Sequence, residues 1–328
     1  MTHSPVIMAE KIAIYCEDTD MRVIRSLLVM CIFALATLTL AQTEGASLDE
    51  RGYGLYVPST YDEDSDEVLP LLIALHGFGD TWQNFYPATG FINRAEQDNF
   101  IVAFPQGYLR QWNDGSVGDH YEDDVQLLSD LIERVDRDYR VDRDRIYLAG
   151  FSNGGTMTFQ AACERPDLFA GIASVGGTMR NGIAIEEVGL CADVQMPVLI
   201  IHGTQDTVVP FIGGEFRYGA VVGAAYWRQN NECMDEDVPT YDPDNFRNGF
   251  QTFLFDECAG GNLTMLHVIE NGAHVWFGAE SYVQEQTPQQ PGLDTARLIW
   301  GFFEASYAAQ QAAESEPEAT PEATESSD

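Results

Sequence analysis

Ser152, Asp206 and His274 are the residues whose types and order could do covalent chemistry. Ser152 sits inside Gly150-Phe151-Ser152-Asn153-Gly154. A serine hydroxyl is a weak nucleophile until a base takes its proton, and the base must be oriented by an acid. Asp206 closes His202-Gly203-Thr204-Gln205-Asp206, and His274 closes Glu270-Asn271-Gly272-Ala273-His274. The G-x-S-x-G pattern carries meaning only between a strand and a helix, where the turn forces the serine outward. Arg145-Ile146-Tyr147-Leu148-Ala149 reads as that strand, and residues 153–164 read as the helix. The chemistry implied is nucleophilic attack on a carbonyl carbon. The competing reading, a glycine-rich turn with a surface serine, does not account for this context.

The other histidines suit the role of base less well. His76 opens His76-Gly77-Phe78-Gly79 after an apolar run, a place for backbone N–H groups that bind an oxyanion. Phe78 and Asn153 are expected to supply those two N–H groups. His202 lies at a strand end, His267 within a strand, and His120 in a polar loop. Trp276, two residues past His274, and Trp112, in Gln111-Trp112-Asn113-Asp114, are expected to line the substrate. Trp82, Phe85 and Tyr86 are weaker choices, and core packing is the usual role of such aromatics.

These residues must be held by the elements around them. Apolar strands are expected at 69–75, 100–104, 145–149, 170–175, 197–201 and 262–269, alternating with helical stretches. The clearest helix covers Asp123 to Tyr139, with Val125, Leu128, Leu131, Ile132 and Val135 on one stripe. A last helix is expected from Asp294 to Tyr307. Such alternation gives a mostly parallel sheet covered by helices on both faces. Functional groups then collect at the carboxyl ends of the strands, which puts Ser152, Asp206 and His274 on one rim.

The motifs together resemble the secreted α/β-hydrolase esterases that include polyhydroxybutyrate depolymerases and feruloyl and acetylxylan esterases. The matching segments are Arg51 to Pro58, Leu69 to Gly79, Asp123-Asp124-Val125, Val141 to Tyr147, Gly150 to Gly155, His202 to Asp206, and Gly272-Ala273-His274-Val275-Trp276. Phe277 stands where the family often has proline. The resemblance implies an α/β-hydrolase fold and a serine esterase that needs no cofactor and no metal. About twenty residues between the strands at 170–175 and 197–201 leave no room for a large lid, so the site should be open to bulky or polymeric esters. Four cysteines follow the N-terminal segment: Cys163, Cys191, Cys233 and Cys258. Three pairings are open. The resemblance and closeness in sequence favour Cys163–Cys191 and Cys233–Cys258, with four free thiols as the alternative. No C-x-x-C spacing suggests zinc.

The ends of the chain and its charge bound where it works. Residues 27–40 form an apolar run too short for a comfortable membrane span and suited to a signal peptide over residues 1–41. Glu10, Glu17, Asp18 and Asp20 are unusual before such a run, which points to Met21 as the true start. The catalytic domain is then expected over 42–307 and a disordered acidic tail over 308–328. The product would be a secreted monomer without a stable membrane anchor. With 52 acidic and 17 basic residues and a net charge of −35, neither nucleic acid nor an anionic membrane is an expected partner. Lys11 is the only lysine, which excludes Schiff-base and Ser-Lys chemistry after its removal. The acidity fits a saline setting. Two other classes remain open: a serine peptidase of the same fold, and a catalytically inactive binding protein.

Overall fold

The computed structural model describes residues 46–115, 122–180, 191–234, 242, 245–278 and 293–315. The signal segment, His120, the stretch 181–190 and the tail beyond Ser315 lie outside the described residues.

The apolar runs become the middle of an eight-stranded sheet. In chain order its strands are β1 (Tyr53–Tyr56), β2 (Leu69–Leu75), β3 (Ile101–Pro105), β4 (Val141–Phe151), β5 (Gly171–Val175), β6 (Val198–Gly203), β9 (Phe250–Phe255) and β10 (Thr264–Ile269), where β7 (Gly213–Gly214) and β8 (Arg217–Tyr218) form a separate hairpin. The spatial order is β1-β3-β2-β4-β5-β6-β10-β9. The six central strands run parallel; β1 and β9 are antiparallel edges. Every residue of β2, β3, β5 and β6 is buried, as a parallel strand covered on both faces requires.

Alternation along β2 divides the core. Leu71, Ile73 and Leu75 face one layer, which holds Leu128, Leu131 and Ile132 of α4 (Asp124–Asp138), Met157 and Phe159 of α5 (Asn153–Glu164), and Trp227 of α6 (Ala220–Asn230), the helix after β8. Leu72 and Ala74 face the other layer, with Phe85 of α2 (Trp82–Ala88), Phe91 of α3 (Phe91–Asp98), and Ile299, Trp300 and Phe303 of α7 (Thr295–Ser315). A short α1 (Leu48–Arg51) precedes β1. The expected stripe of α4 is buried throughout, and Asp123 caps its start by accepting from Gln126 N at 2.8 Å.

Two expectations need correction. The edge strands β1 and β9 and the β7–β8 hairpin went unread: β9 alternates half-exposed and exposed positions, and β1 contains a glycine, so neither shows an apolar run. The catalytic domain does not end at Tyr307, nor does the tail begin at Ala308, because α7 continues to Ser315. Residues 308–315 are mostly alanine and glutamine, which propagate a helix without burying a core. A contact holds the extension in place: Gln310 Nε2 donates to Asn262 Oδ1 at 3.0 Å. Gly261 meets the Ala309 backbone so closely that a side chain there would lie 2.5 Å from it.

Candidate active site

The sharp turn between β4 and α5 sets the site. Ser152 has φ 56° and ψ −116°, a left-handed conformation costly for any residue but glycine. Two glycines make it possible. A side chain on Gly150 would lie 2.3 Å from Gly154 O, and one on Gly154 would lie 2.5 Å from His76 O. The turn thus presents Ser152 at the carboxyl end of the central strand, 8% exposed. Asn153 is the first helical residue, so its N–H has no acceptor within α5.

Asp206 and His274 arrive from the ends of β6 and β10, which pair in parallel. Glycine again sets the approach: a side chain on Gly203 would lie 2.2 Å from Gly272 O, and Gln205 N donates to that same carbonyl at 2.9 Å. With its proton on Nδ1, His274 donates to Asp206 Oδ2 at 2.7 Å, and its Nε2 accepts from Ser152 Oγ at 2.7 Å. The other Asp206 oxygen accepts from Val208 N at 2.9 Å and Val209 N at 2.8 Å. Burial alone would raise the Asp206 carboxyl; the hydrogen bonds from His202 and His274 and the nearby imidazole charge outweigh it, holding the group well below the usual carboxylate range. An acid kept ionised in this way fixes the imidazole tautomer and can stabilise an imidazolium.

The remaining histidines have structural partners. His76 is fully buried; its Nδ1 donates to Gly77 O at 2.8 Å and its Nε2 accepts from Gly107 N at 3.0 Å. Burial holds this imidazole below its ordinary pKa, so it stays a neutral acceptor. It shapes the loop carrying Phe78. A side chain on Gly77 would lie 3.5 Å from Ser152 Cβ, so that loop passes directly beside Ser152. His202 contacts Val209 O at 2.8 Å and braces the Asp206 loop. His267 bonds Thr252 Oγ1 at 2.8 Å across to β9.

The two tryptophans do not line the site. Trp112 and Trp276 are each only 1% exposed. Trp112 Nε1 donates to His76 O at 2.9 Å, while its backbone N–H donates to Asn153 Oδ1 at 2.7 Å. It therefore ties the Phe78 loop to the elbow. Trp276 packs edge-on between Phe85 and Phe91 and donates to Thr89 O at 3.1 Å, anchoring the His274 loop to α2 and α3. Large amphipathic rings read the same in sequence whether they wall a site or brace it. The apolar side chains left exposed around the rim are Phe78 at 70%, Leu109 at 73% and Val208 at 65%, with Ile212 just before β7 and Phe216 on the turn of the β7–β8 hairpin. Gly79 N donates to Arg110 O at 2.7 Å, which brings Leu109 alongside the Phe78 loop. The signal for Phe78 and Val208 was their position, one in the loop that follows β2 and one two residues past Asp206. Both expected disulfides are present, Cys163–Cys191 and Cys233–Cys258. Among the described residues no cluster of His, Cys, Asp and Glu is arranged to hold a metal.

A model of the family described as Phospholipase/Carboxylesterase matches residues 62–251, which include Ser152 and Asp206. Feruloyl esterase B of Piromyces equi is 30% identical over 223 residues, covering 64% of this chain and 40% of that protein. The probable feruloyl esterase C of Aspergillus terreus is 29% identical over 234 residues, covering 65% of this chain and 78% of that one. The solved acetyl xylan esterase of Aspergillus awamori superposes with a TM-score of 0.54 at 15% identity, over 80% of this chain and 96% of that one, a likeness of fold.

Proposed function

Because the chain belongs to the phospholipase/carboxylesterase family of α/β-hydrolases and is a serine carboxylic-ester hydrolase, we propose that Ser152, His274 and Asp206 carry its reaction and that its substrates are bulky or polymeric esters outside the cell. The observation that carries this reading is the unbroken hydrogen-bonded line from Ser152 Oγ through His274 to Asp206.

Ser152 Oγ attacks the ester carbonyl while His274 Nε2 takes its proton. The carbonyl oxygen becomes an oxyanion held by the N–H groups of Phe78 and Asn153; loss of one such donor typically costs about 3 kcal/mol. His274 then protonates the departing alcohol, leaving Ser152 acylated. Water, activated by the same imidazole, attacks the acyl-enzyme and releases the acid. Asp206 holds the tautomer and balances the imidazolium in both halves.

Exposed Phe78, Leu109 and Val208 suit an extended apolar or aromatic ester at an open rim. Among the four ester classes, feruloyl esters come first for this chain because proteins named feruloyl esterase stand among its relatives. Two disulfides support an oxidising, extracytoplasmic setting. The signal peptide over 1–41 and the monomeric state belong to the same proposal. The test is the purified enzyme against feruloyl, acetyl-xylan, hydroxybutyrate and terephthalate esters beside matched anilides. Turnover of esters with anilides inert is expected. Faster anilide cleavage would make it a peptidase.

A further inference from the structure

The chain leaving β5 runs along the site. A side chain on Gly176 would lie 3.4 Å from His274 Nδ1, and one on Gly177 would lie 2.5 Å from the start of α5. Arg180 follows and pairs antiparallel with Arg217 of β8, fixed by Tyr218 N donating to Met179 O at 2.9 Å. Residues directly opposite in such a pair put their side chains on one face, with Cβ atoms about 5 Å apart. The stem of Arg180 lies over Gly115, whose added Cβ would be 3.8 Å from Arg180 Cδ. Asp114, the neighbouring residue, accepts from Asn153 Nδ2 at 2.8 Å beside Ser152. The two arginines therefore belong to segments that border the site, the loop that follows Gly176 beside His274 and the hairpin that follows Asp206.

This placement is unfavourable by itself. Like charges opposite one another in a strand pair destabilise it, and both arginines are partly buried. Burial and then Arg180 push the Arg217 guanidinium below its ordinary pKa, with Asp114 and Asp206 opposing. Carboxylates abound in this chain, 52 acidic residues against 17 basic, and Arg51 and Arg143 each hold two while Arg165 holds one. Arg180 and Arg217 hold none within ion-pair distance among the described residues.

We propose that Arg180 and Arg217 form an anion subsite beside Ser152, and that the esters turned over best carry a free carboxylate away from the scissile bond. The inference rests on the esterase reading above. Guanidinium forks bind carboxylates in two-point fashion, and the contact strengthens where water is partly excluded. A molecule of net charge −35 repels anions at long range, so the preference must come from these local contacts.

The test compares kcat/KM for two matched pairs: monoethyl against diethyl terephthalate, with the carboxylate in the acyl part, and 4-acetoxybenzoate against its methyl ester, with the carboxylate in the alcohol part. The wild type should prefer the carboxylate member in at least one pair. Arg217→Gln and Arg180→Gln should each lower that ratio about ten-fold, while Arg217→Lys should retain part of it. No preference in either pair, or a ratio unmoved by both glutamine variants, overturns the subsite and leaves the esterase intact. Failure of the wild type to cleave any of the four esters overturns the esterase reading, and the subsite with it.

Discussion

His267 is 7% exposed on β10, with Nδ1 bonded to Thr252 and its ring 5.2 Å from that of Phe250. Burial pushes this imidazole down to about 4, against an ordinary value near 6.5. The unfolded chain therefore takes up a proton between about pH 6.5 and 4 that the folded chain refuses, so stability falls with pH across that window. His267→Leu should remove this loss, about 1–2 kcal/mol between pH 7 and 5. The measurement is urea unfolding of both proteins at the two pH values; an equal loss in both would assign the acid sensitivity to other groups. The residue scale was also where sequence said most. Ser152, Asp206 and His274 announced themselves because each follows a strand, and strand ends are visible as apolar runs. The brace made by Trp112, His76 and Asn153 was not, because its hydrogen bonds join loops far apart in the chain.

At the scale of elements, the loop after β10 positions His274, and Trp276 positions the loop. Trp276 fills the space between α2 and α3, and removing so large a buried ring typically costs about 3–5 kcal/mol. Trp276→Ala should therefore lower the melting temperature and reduce kcat more than it changes KM, since His274 loses its register with Ser152 while the exposed rim is untouched. Trp276→Phe, which keeps most of the packing, should recover most of kcat. A rise in KM alone in both variants would return Trp276 to the substrate wall. Parallel strands were legible as continuous apolar runs, and α4 as a single stripe. The edges β1 and β9 were not, because an edge strand is half-solvated and carries a mixed pattern. The extension of α7 was hidden for another reason: an alanine- and glutamine-rich segment has the composition of a solvated tail, and only its contacts with Gly261 and Asn262 show that it is docked.

At the scale of the whole molecule, 52 acidic residues against 17 basic leave a repulsive field that the folded state concentrates. Added salt shortens the Debye length from about 30 Å at 0.01 M to about 3 Å at 1 M. The melting temperature should rise over that range in sodium chloride, and truncation after Ser315 should preserve most of the rise, since the charges removed lie past the end of α7. A flat or falling melting temperature would leave the acidity with a role in solubility only. Every step proposed for ester hydrolysis depends on Ser152 being the nucleophile. Intact-protein and peptide mass spectrometry after treatment with a fluorophosphonate measures this directly. One adduct, on the peptide containing Ser152, is expected together with complete loss of ester hydrolysis, and Ser152→Ala should take up no label and hydrolyse no ester above the residual rate left by binding and the oxyanion donors. An adduct on another serine, or a Ser152→Ala variant that still hydrolyses esters within a few-fold of the wild type, would contradict it.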